Sequence, residues 1–288
     1  MVKWIRNIRW KVVLGCVVAL LAVSGIVALM SFIGVKSSEQ ACTGLRVIVL
    51  GEESFIEQKD VVDIIEQAHG QIVGRTLETL PYHEIEASIE ALPYVAEAIV
   101  NRDMDGTVTV RIQQRQAVVR VINSEGKNFY IDEAGLKIPV SLKYTPRVPV
   151  ANGHIAEPYN EALDSIQSAL VNDIFKTAQY ISADSVWSNQ VVQLYVNQQG
   201  DIELAPRVGR QQIILGNSEA LEEKFQKLML FYTKIVPRVG IDAYKSVNLK
   251  YRGQLVCERG EGYRPELFEP PDQPPMPDSL GGPPEMAD

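Results

Sequence analysis

The sequence predicts an α+β protein hung from one membrane span: a transmembrane helix, a small strand–helix–helix–strand–strand unit, a larger mixed β-sheet unit with two helices, and a disordered tail. Three observations carry that reading. The run Val12 to Val35 contains no charged residue. Apolar spacing passes from alternation to helical repeats and back to alternation between residues 45 and 112, and does so again after residue 117. Residues 265 to 288 hold half of the chain's 16 prolines.

The apolar run sets the address of everything after it. At about 1.5 Å per residue it makes a helix of roughly 36 Å, enough to cross a hydrocarbon core of ~30 Å with a modest tilt. Lys3, Arg6, Arg9 and Lys11 precede it with no acid among them, so residues 1–11 are expected in the cytoplasm and the bulk of the chain in the periplasm, outside the inner membrane. A cleaved signal has a shorter apolar core and a small-residue cleavage site, and neither feature is present. The span 12–35 therefore reads as an uncleaved anchor, followed by a linker over 36–44, with Trp4 and Trp10 suited to the aromatic belt.

The net charge of −8 includes those four cations, which leaves about −12 on the exported part. Such an acidic surface argues against nucleic acid and against a peripheral grip on anionic lipid. Cys16 falls in the membrane run, and nothing in the spacing of Cys42 and Cys257 supports a disulfide.

Residues 45–50 (LRVIVL) read as a strand stopped by Gly51. Val61, Val62, Ile64, Ile65 and Ala68 make one apolar face of a helix that Gly70 can close. Ile85, Ile89 and Leu92 mark a second helix between Pro81, as a start residue, and Pro93. Val95–Val100 and Thr107–Ile112 form a hairpin around Asp103-Met-Asp-Gly106. Two helices cover one face of so small a sheet, giving an α+β layer over 45–116. This order, with Leu92-Pro-Tyr-Val95 entering the second strand, resembles the POTRA domain. Ala98-Ile-Val-Asn-Arg102 and Val108-Thr-Val-Arg-Ile-Gln-Gln-Arg115 are similar to that domain in the bacterial cell-division family FtsQ/DivIB, although Gln114-Arg115-Gln116-Ala117 lacks the proline that the family usually carries there.

The larger unit, 117–263, opens with strands Ala117–Ile122 and Asn128–Asp132 around a turn at Asn123–Gly126. Asp132 and Gly135 define the next turn, since Asp bonds its own backbone and Gly accepts positive φ. Phe129-Tyr-Ile-Asp-Glu-Ala-Gly-Leu-Lys-Ile-Pro139 and Tyr144-Thr-Pro-Arg-Val-Pro-Val150 again resemble the family, in a Bacteroidetes-like form. A helix is expected through Leu163, Ile166, Leu170, Ile174 and Ala178, with strands resuming near Val186. Val191–Val196, Ile202–Leu204 and Gln211–Leu215 are further strands. A second helix, capped by Asn217 or Ser218, buries Leu221, Phe225, Leu228 and Tyr232. The last strand is expected as one piece, Ser246 to Glu258, and the acidic, proline-rich 264–288 as a disordered tail.

Catalytic signals are scarce. His69, His83 and His154 are far apart in sequence, no metal-ligand spacing occurs, and no cofactor motif appears. Ser124-Glu125-Gly126-Lys127 is formally S-x-x-K, but that motif needs a helical turn and Gly126 puts it in a hairpin. The residues point to an interaction protein rather than an enzyme. A closing strand is often a sheet edge, open to chain addition.

The resemblance to FtsQ/DivIB implies a divisome scaffold at the septum, without catalysis or cofactor, that helps to recruit and regulate the septal peptidoglycan synthase complex. It implies FtsB/DivIC-like and FtsL-like bitopic partners docked on the closing strand, which carries over to Lys250, Tyr251, Gly253, Gln254, Leu255 and Val256. Tyr251 is the expected anchor. Two other readings fit a POTRA-bearing chain: an envelope assembly or secretion chaperone, and a membrane-tethered cell-wall enzyme using surface carboxylates.

Overall fold

The computed structural model describes residues 14–15, 17–27, 40–51, 55–160 and 163–261. The basic flank, both ends of the expected span, residues 36–39 of the linker and the tail lie outside them. Residues 17–27 are helical. Among the described residues no helix is long and apolar enough to cross a membrane. The chain divides into two compact units, Met1–Arg115 and Gln116–Asp288.

The first unit runs β1 (Gly44–Leu50), α1 (Gln58–His69), α2 (Tyr82–Glu90), β2 (Val95–Arg102) and β3 (Thr107–Gln114). Its sheet order is β1-β3-β2. The two helices carry the chain from β1 to β2, and the β2–β3 hairpin then turns it back so that β3 lies parallel to β1, from Gly44↔Thr107 to Leu50↔Gln113. Val61 and Ile65 of α1 and Ile85 and Ile89 of α2 are fully buried, as are Val108, Val110 and Ile112 of β3. Alternation on the strand and fourfold spacing on the helices thus meet in one apolar layer. Ala68 is exposed, against the expected stripe, because a single methyl adds little apolar area and the stripe closes at Ile65. Pro81 sits one residue before the first turn of α2. The outer edge of β2 is not bare: Glu86 and Glu90 accept hydrogen bonds from the Val100 and Ala98 amides at 2.8 and 3.1 Å.

Among the described residues the second unit holds ten strands: β4 (Ala117–Ile122), β5 (Asn128–Asp132), β6 (Leu136–Pro139), β7 (Val150–Gly153), β8 (Asp164–Ser165), β9 (Val191–Val196), β10 (Ile202–Pro206), β11 (Gln212–Gly216), β12 (Tyr244–Asn248) and β13 (Val256–Arg259). They form one mixed sheet in the order β13-β12-β11-β10-β9-β7-β4-β5-β6-β8. Val121, Phe129, Leu194, Leu204, Ile213 and Val247 line one face and pack with α3 (Ala169–Ala183), α4 (Ser185–Gln190) and α5 (Leu221–Leu230) through Ile174, Ala178, Trp187, Phe225 and Leu228. The Asp132 turn forms as its chemistry predicts, with Oδ1 accepting from the Ala134 and Leu136 amides.

A charged pair lies inside this apolar unit. Lys137 Nζ donates to Glu157 Oε1 at 3.0 Å, and both side chains are fully buried. The carboxylate also accepts from the Gln167 and Ser168 amides at 2.9 Å, just ahead of α3. Burial pushes the Glu157 carboxyl up, but these hydrogen bonds outweigh it and hold its pKa below the ordinary value.

Five expectations are corrected. The helix expected from Leu163 begins at Ala169, because Ser168 caps it and residues 164–165 pair with β6 instead. Val186 lies in α4, not a strand, since the Asp184 carboxylate accepts from its amide at 2.7 Å and from Trp187 at 3.2 Å and starts a new helical turn. Neither Asn217 nor Ser218 caps α5: the cap is Ala220 at φ 50, while Ser218 bonds Asp173. The unit has more than two helices, since α5 runs on through a π turn at Phe231–Ile235 into α6 (Val236–Val239). The closing strand is two strands, β12 and β13, as the site geometry below explains.

Candidate functional site

The expected partner-binding residues converge on the hairpin between β12 and β13. The two strands pair antiparallel, with Val247↔Cys257 and Asn248↔Val256 in register. A single straight strand fails at residues 249–255 because the backbone is gathered into a loop by side chains. The Asn248 carboxamide accepts from the Lys250 amide at 3.0 Å, and Gly253 takes φ +66, a conformation that suits glycine.

A lysine and a glutamate of α5 fix this tip. Lys227 Nζ donates to the Leu249 carbonyl at 3.1 Å and the Tyr251 carbonyl at 2.5 Å. Glu223 accepts from the Gly253 amide at 2.9 Å, and that bond, with Lys227 beside it, lowers the carboxyl's pKa. Glu223 and Lys227 are one turn apart on the helix and 3.5 Å from each other. Lys250 reaches away to Asp201 at 2.6 Å. Its stem passes over Gly216, where a Cβ would lie 2.9 Å from Lys250 Cγ. Leu249 is fully buried and anchors the loop base in the core.

The six residues therefore have different situations. Tyr251 and Val256 are 48% and 45% exposed, unusually open for such side chains. Gly253 and Gln254 are exposed. Leu255 is half-buried and packs on the core beside Cys257. Lys250 is exposed, but its ammonium is engaged by Asp201. β13 ends the strand order, so one edge pairs with β12 and no strand lies on the other among the described residues. The opposite edge, β8, is only two residues long.

Lys227, Glu223 and Asp201, which hold the tip, were not among the sequence candidates. Glu223 suits the positive end of its helix, and nothing in its spacing or in that of Lys227 points to a loop some 25 residues later. The formal S-x-x-K comes apart: Ser124 donates to the Ile155 carbonyl at 3.0 Å and Lys127 to the Tyr159 carbonyl at 2.8 Å. The three histidines have separate partners, Ser88, Glu86 and the Val196 carbonyl. Cys42 and Cys257 are free thiols, and burial raises the pKa of Cys257 to about 11. Among the described residues no cluster of His, Cys, Asp or Glu could hold a metal ion.

Fold and site define a class: a protein with a small three-stranded α+β unit and a larger one-sheet unit that ends in an exposed edge hairpin. Residues 116–258 match the family model "FtsQ/DivIB, C-terminal related", and residues 40–113 match a POTRA-like domain. No curated protein matches the chain. The chain belongs to the FtsQ/DivIB family. The family is a septal, membrane-associated component of the divisome and is generally non-catalytic, which assigns this chain to cell division.

Proposed function

We propose that this protein is a membrane-anchored divisome scaffold that captures FtsB/DivIC-like and FtsL-like bitopic partners on the β12–β13 hairpin and helps to recruit and regulate septal peptidoglycan synthesis. The observation that carries the reading is the combination of a strand edge that no strand covers among the described residues with exposed Tyr251 and Val256 on a loop tied down by α5. A partner strand adding to β13 would satisfy its outward amides and carbonyls, Val256 would pack along the new strand, and the Tyr251 ring would supply the apolar anchor. Because Lys227 and Glu223 already order the tip, little conformational entropy would be lost on capture.

The same proposal makes residues 12–35 a single span with the N-terminus cytoplasmic and the two units periplasmic. Leu14, Val17, Leu20, Leu21, Val23 and Ile26 are each more than half exposed or close to it, and they point around the whole helix. A helix apolar on every side is stable in lipid and not in water.

The test is co-purification of partners with the full chain from membranes. Tyr251→Ala and Val256→Lys should each weaken capture of the bitopic partners at least tenfold, on the scale of about 1.4 kcal/mol or more for a buried interface anchor, with the fold intact by circular dichroism. Unchanged capture by both variants moves the interface away from β13. Recovery of outer-membrane barrel machinery without a bitopic division partner favours the chaperone reading instead. Depletion of the protein should give filamentous, undivided cells.

A further inference from the structure

A basic cleft of about 770 Å³ lies at one end of the large sheet, away from the hairpin tip. It is lined by Arg147 and Arg207, with Ser188, Asn189, Val148 and Val192 among the remaining wall residues, and among the described residues no acid lines it. Arg147 stands between Pro146 and Pro149, whose fixed φ angles stiffen its loop. Arg207 is locked by its own backbone: its amide donates to the Gln190 carbonyl at 2.6 Å and Nε to the Asn189 carbonyl at 2.8 Å. That leaves the Nη groups of its fork for a carboxylate. Val192 is 37% exposed and gives the cleft an apolar patch. On a part of the chain that carries about −12 overall, two cations with no acid partner among the described residues are out of keeping with their surroundings.

The register shows what arrives there. β13 is antiparallel to β12, β12 parallel to β11, β11 antiparallel to β10, and β10 antiparallel to β9. The C-terminal end of β13 is therefore at the same end of the sheet as Arg207, just after β10, and as Val191 and Val192, which open β9. Four strand spacings of about 4.8 Å separate β13 from β9, roughly 19 Å. Beyond Glu261 the chain continues for 27 residues with six acids, Glu266, Glu269, Asp272, Asp278, Glu285 and Asp288, against Arg264 alone. At the ~3.1 Å per residue of an extended polyproline conformation, five and eight residues past Glu261 would span about 15 and 25 Å, on either side of the 19 Å separation, and these are the sequence distances of Glu266 and Glu269. Leu267 and Phe268 stand between them, so Glu-Leu-Phe-Glu offers the acid–apolar–acid pattern that Arg147, Val148/Val192 and Arg207 complement.

We propose that the chain's own acidic segment Pro265–Pro270 docks in the Arg147/Arg207 cleft. Glu266 and Glu269 pair with the two guanidiniums, and Leu267 and Phe268 cover Val148 and Val192. A tail led this way crosses the ends of β12 to β10, inward from β13, and so keeps the open edge of β13 clear. The proposal is independent of which partner the edge takes.

The experiment uses the full chain in lipid nanodiscs with the photocrosslinker benzoylphenylalanine in place of Phe268. Irradiation should give intramolecular adducts on peptides containing residues 147–149 and 188–192. Arg147→Glu/Arg207→Glu should lower their yield about fivefold, as two exposed ion pairs of ~0.5 kcal/mol each allow. Adding Glu266→Lys/Glu269→Lys to that variant should restore it. Raising the salt to 0.5 M, which needs no substitution, should lower the yield of the parent chain as well. Adducts spread over the surface, confined to lipid, or formed only between two chains would each overturn the proposal, as would a yield insensitive to both charge reversal and salt.

Discussion

The tip of the β12–β13 hairpin is held mainly by Lys227, and Lys227→Met tests how far. Methionine keeps the length and apolar stem of lysine while removing the ammonium that bonds the Leu249 and Tyr251 carbonyls at 3.1 and 2.5 Å. A charge-assisted hydrogen bond contributes about 1.5–3 kcal/mol, and the Lys227 side chain is only 13% exposed. Two such bonds, reduced for partial solvent screening, amount to about 2 kcal/mol of tethering. That corresponds to a ~30-fold faster local opening. Hydrogen–deuterium exchange of the peptide spanning residues 249–256 reads it directly, because the Gly253 amide in that loop donates to Glu223, one helical turn before Lys227. The expected result is a ~30-fold rise in exchange there, no comparable change in β9 or β10, and weaker partner capture with the fold retained. Parent-like exchange across 249–256 would show that the lysine does not order the tip, and the preorganisation argument for capture would fall with it.

Removing the buried carboxylate by Glu157→Ala takes one of two acids off the buried Lys137 ammonium, which keeps Asp164 at 3.3 Å and the Pro158 carbonyl at 2.9 Å, and should cost about 1–3 kcal/mol in urea unfolding of the second unit. Because the folded pKa of Glu157 is depressed, its contribution is fully present above the ordinary value of about 4.5 and is lost as pH falls through the folded value; acid titration of stability should show that loss in the parent chain and a smaller one in Glu157→Ala. Gly216→Ala places a Cβ at φ +83 and 2.9 Å from Lys250, so a loss of about 1–2 kcal/mol and release of Lys250 from Asp201 are expected, the second visible as a shifted Lys250 ammonium resonance by NMR. In the first unit, Glu86→Ala/Glu90→Ala uncovers the Val100 and Ala98 amides at the β2 edge and should promote self-association in analytical ultracentrifugation, in addition to a loss of about 1–3 kcal/mol.

The two edges of these sheets explain much of what could and could not be read in advance. Val95–Val100 and Thr107–Ile112 were legible as a hairpin because alternation and a Gly-containing turn are local signals, whereas the insertion of β3 between β1 and β2 is set only when the helices pack on the sheet. That Glu86 and Glu90 would seal β2 was not legible, since both read as solvent-facing residues of an amphipathic helix. Ser246–Glu258 read as one strand because Leu249, Leu255 and Cys257 are apolar at strand-like spacing. Its reversal depends on Lys227 and Glu223, which reach the loop only once α5 is packed beside it. The helix expected from Leu163 began six residues later for the same kind of reason, the Glu157 carboxylate having taken the Gln167 and Ser168 amides.

By itself the sequence determined the apolar run and its basic flank, the order of strands and helices in the first unit, and most of the strand boundaries it marked to within a residue or two. All of these rest on periodicity, turn chemistry and charge within a short window. Only the tertiary structure decided that β13 is an edge, that Tyr251 and Val256 are exposed while Leu255 and Cys257 face the core, that Lys137 and Glu157 meet out of water, and that Arg147 and Arg207 share a cleft at the end where the acidic tail departs. The reason is physical: a side chain's partner is whatever the packed sheet brings within a few ångströms, and residues far apart in the chain carry no local mark of that meeting.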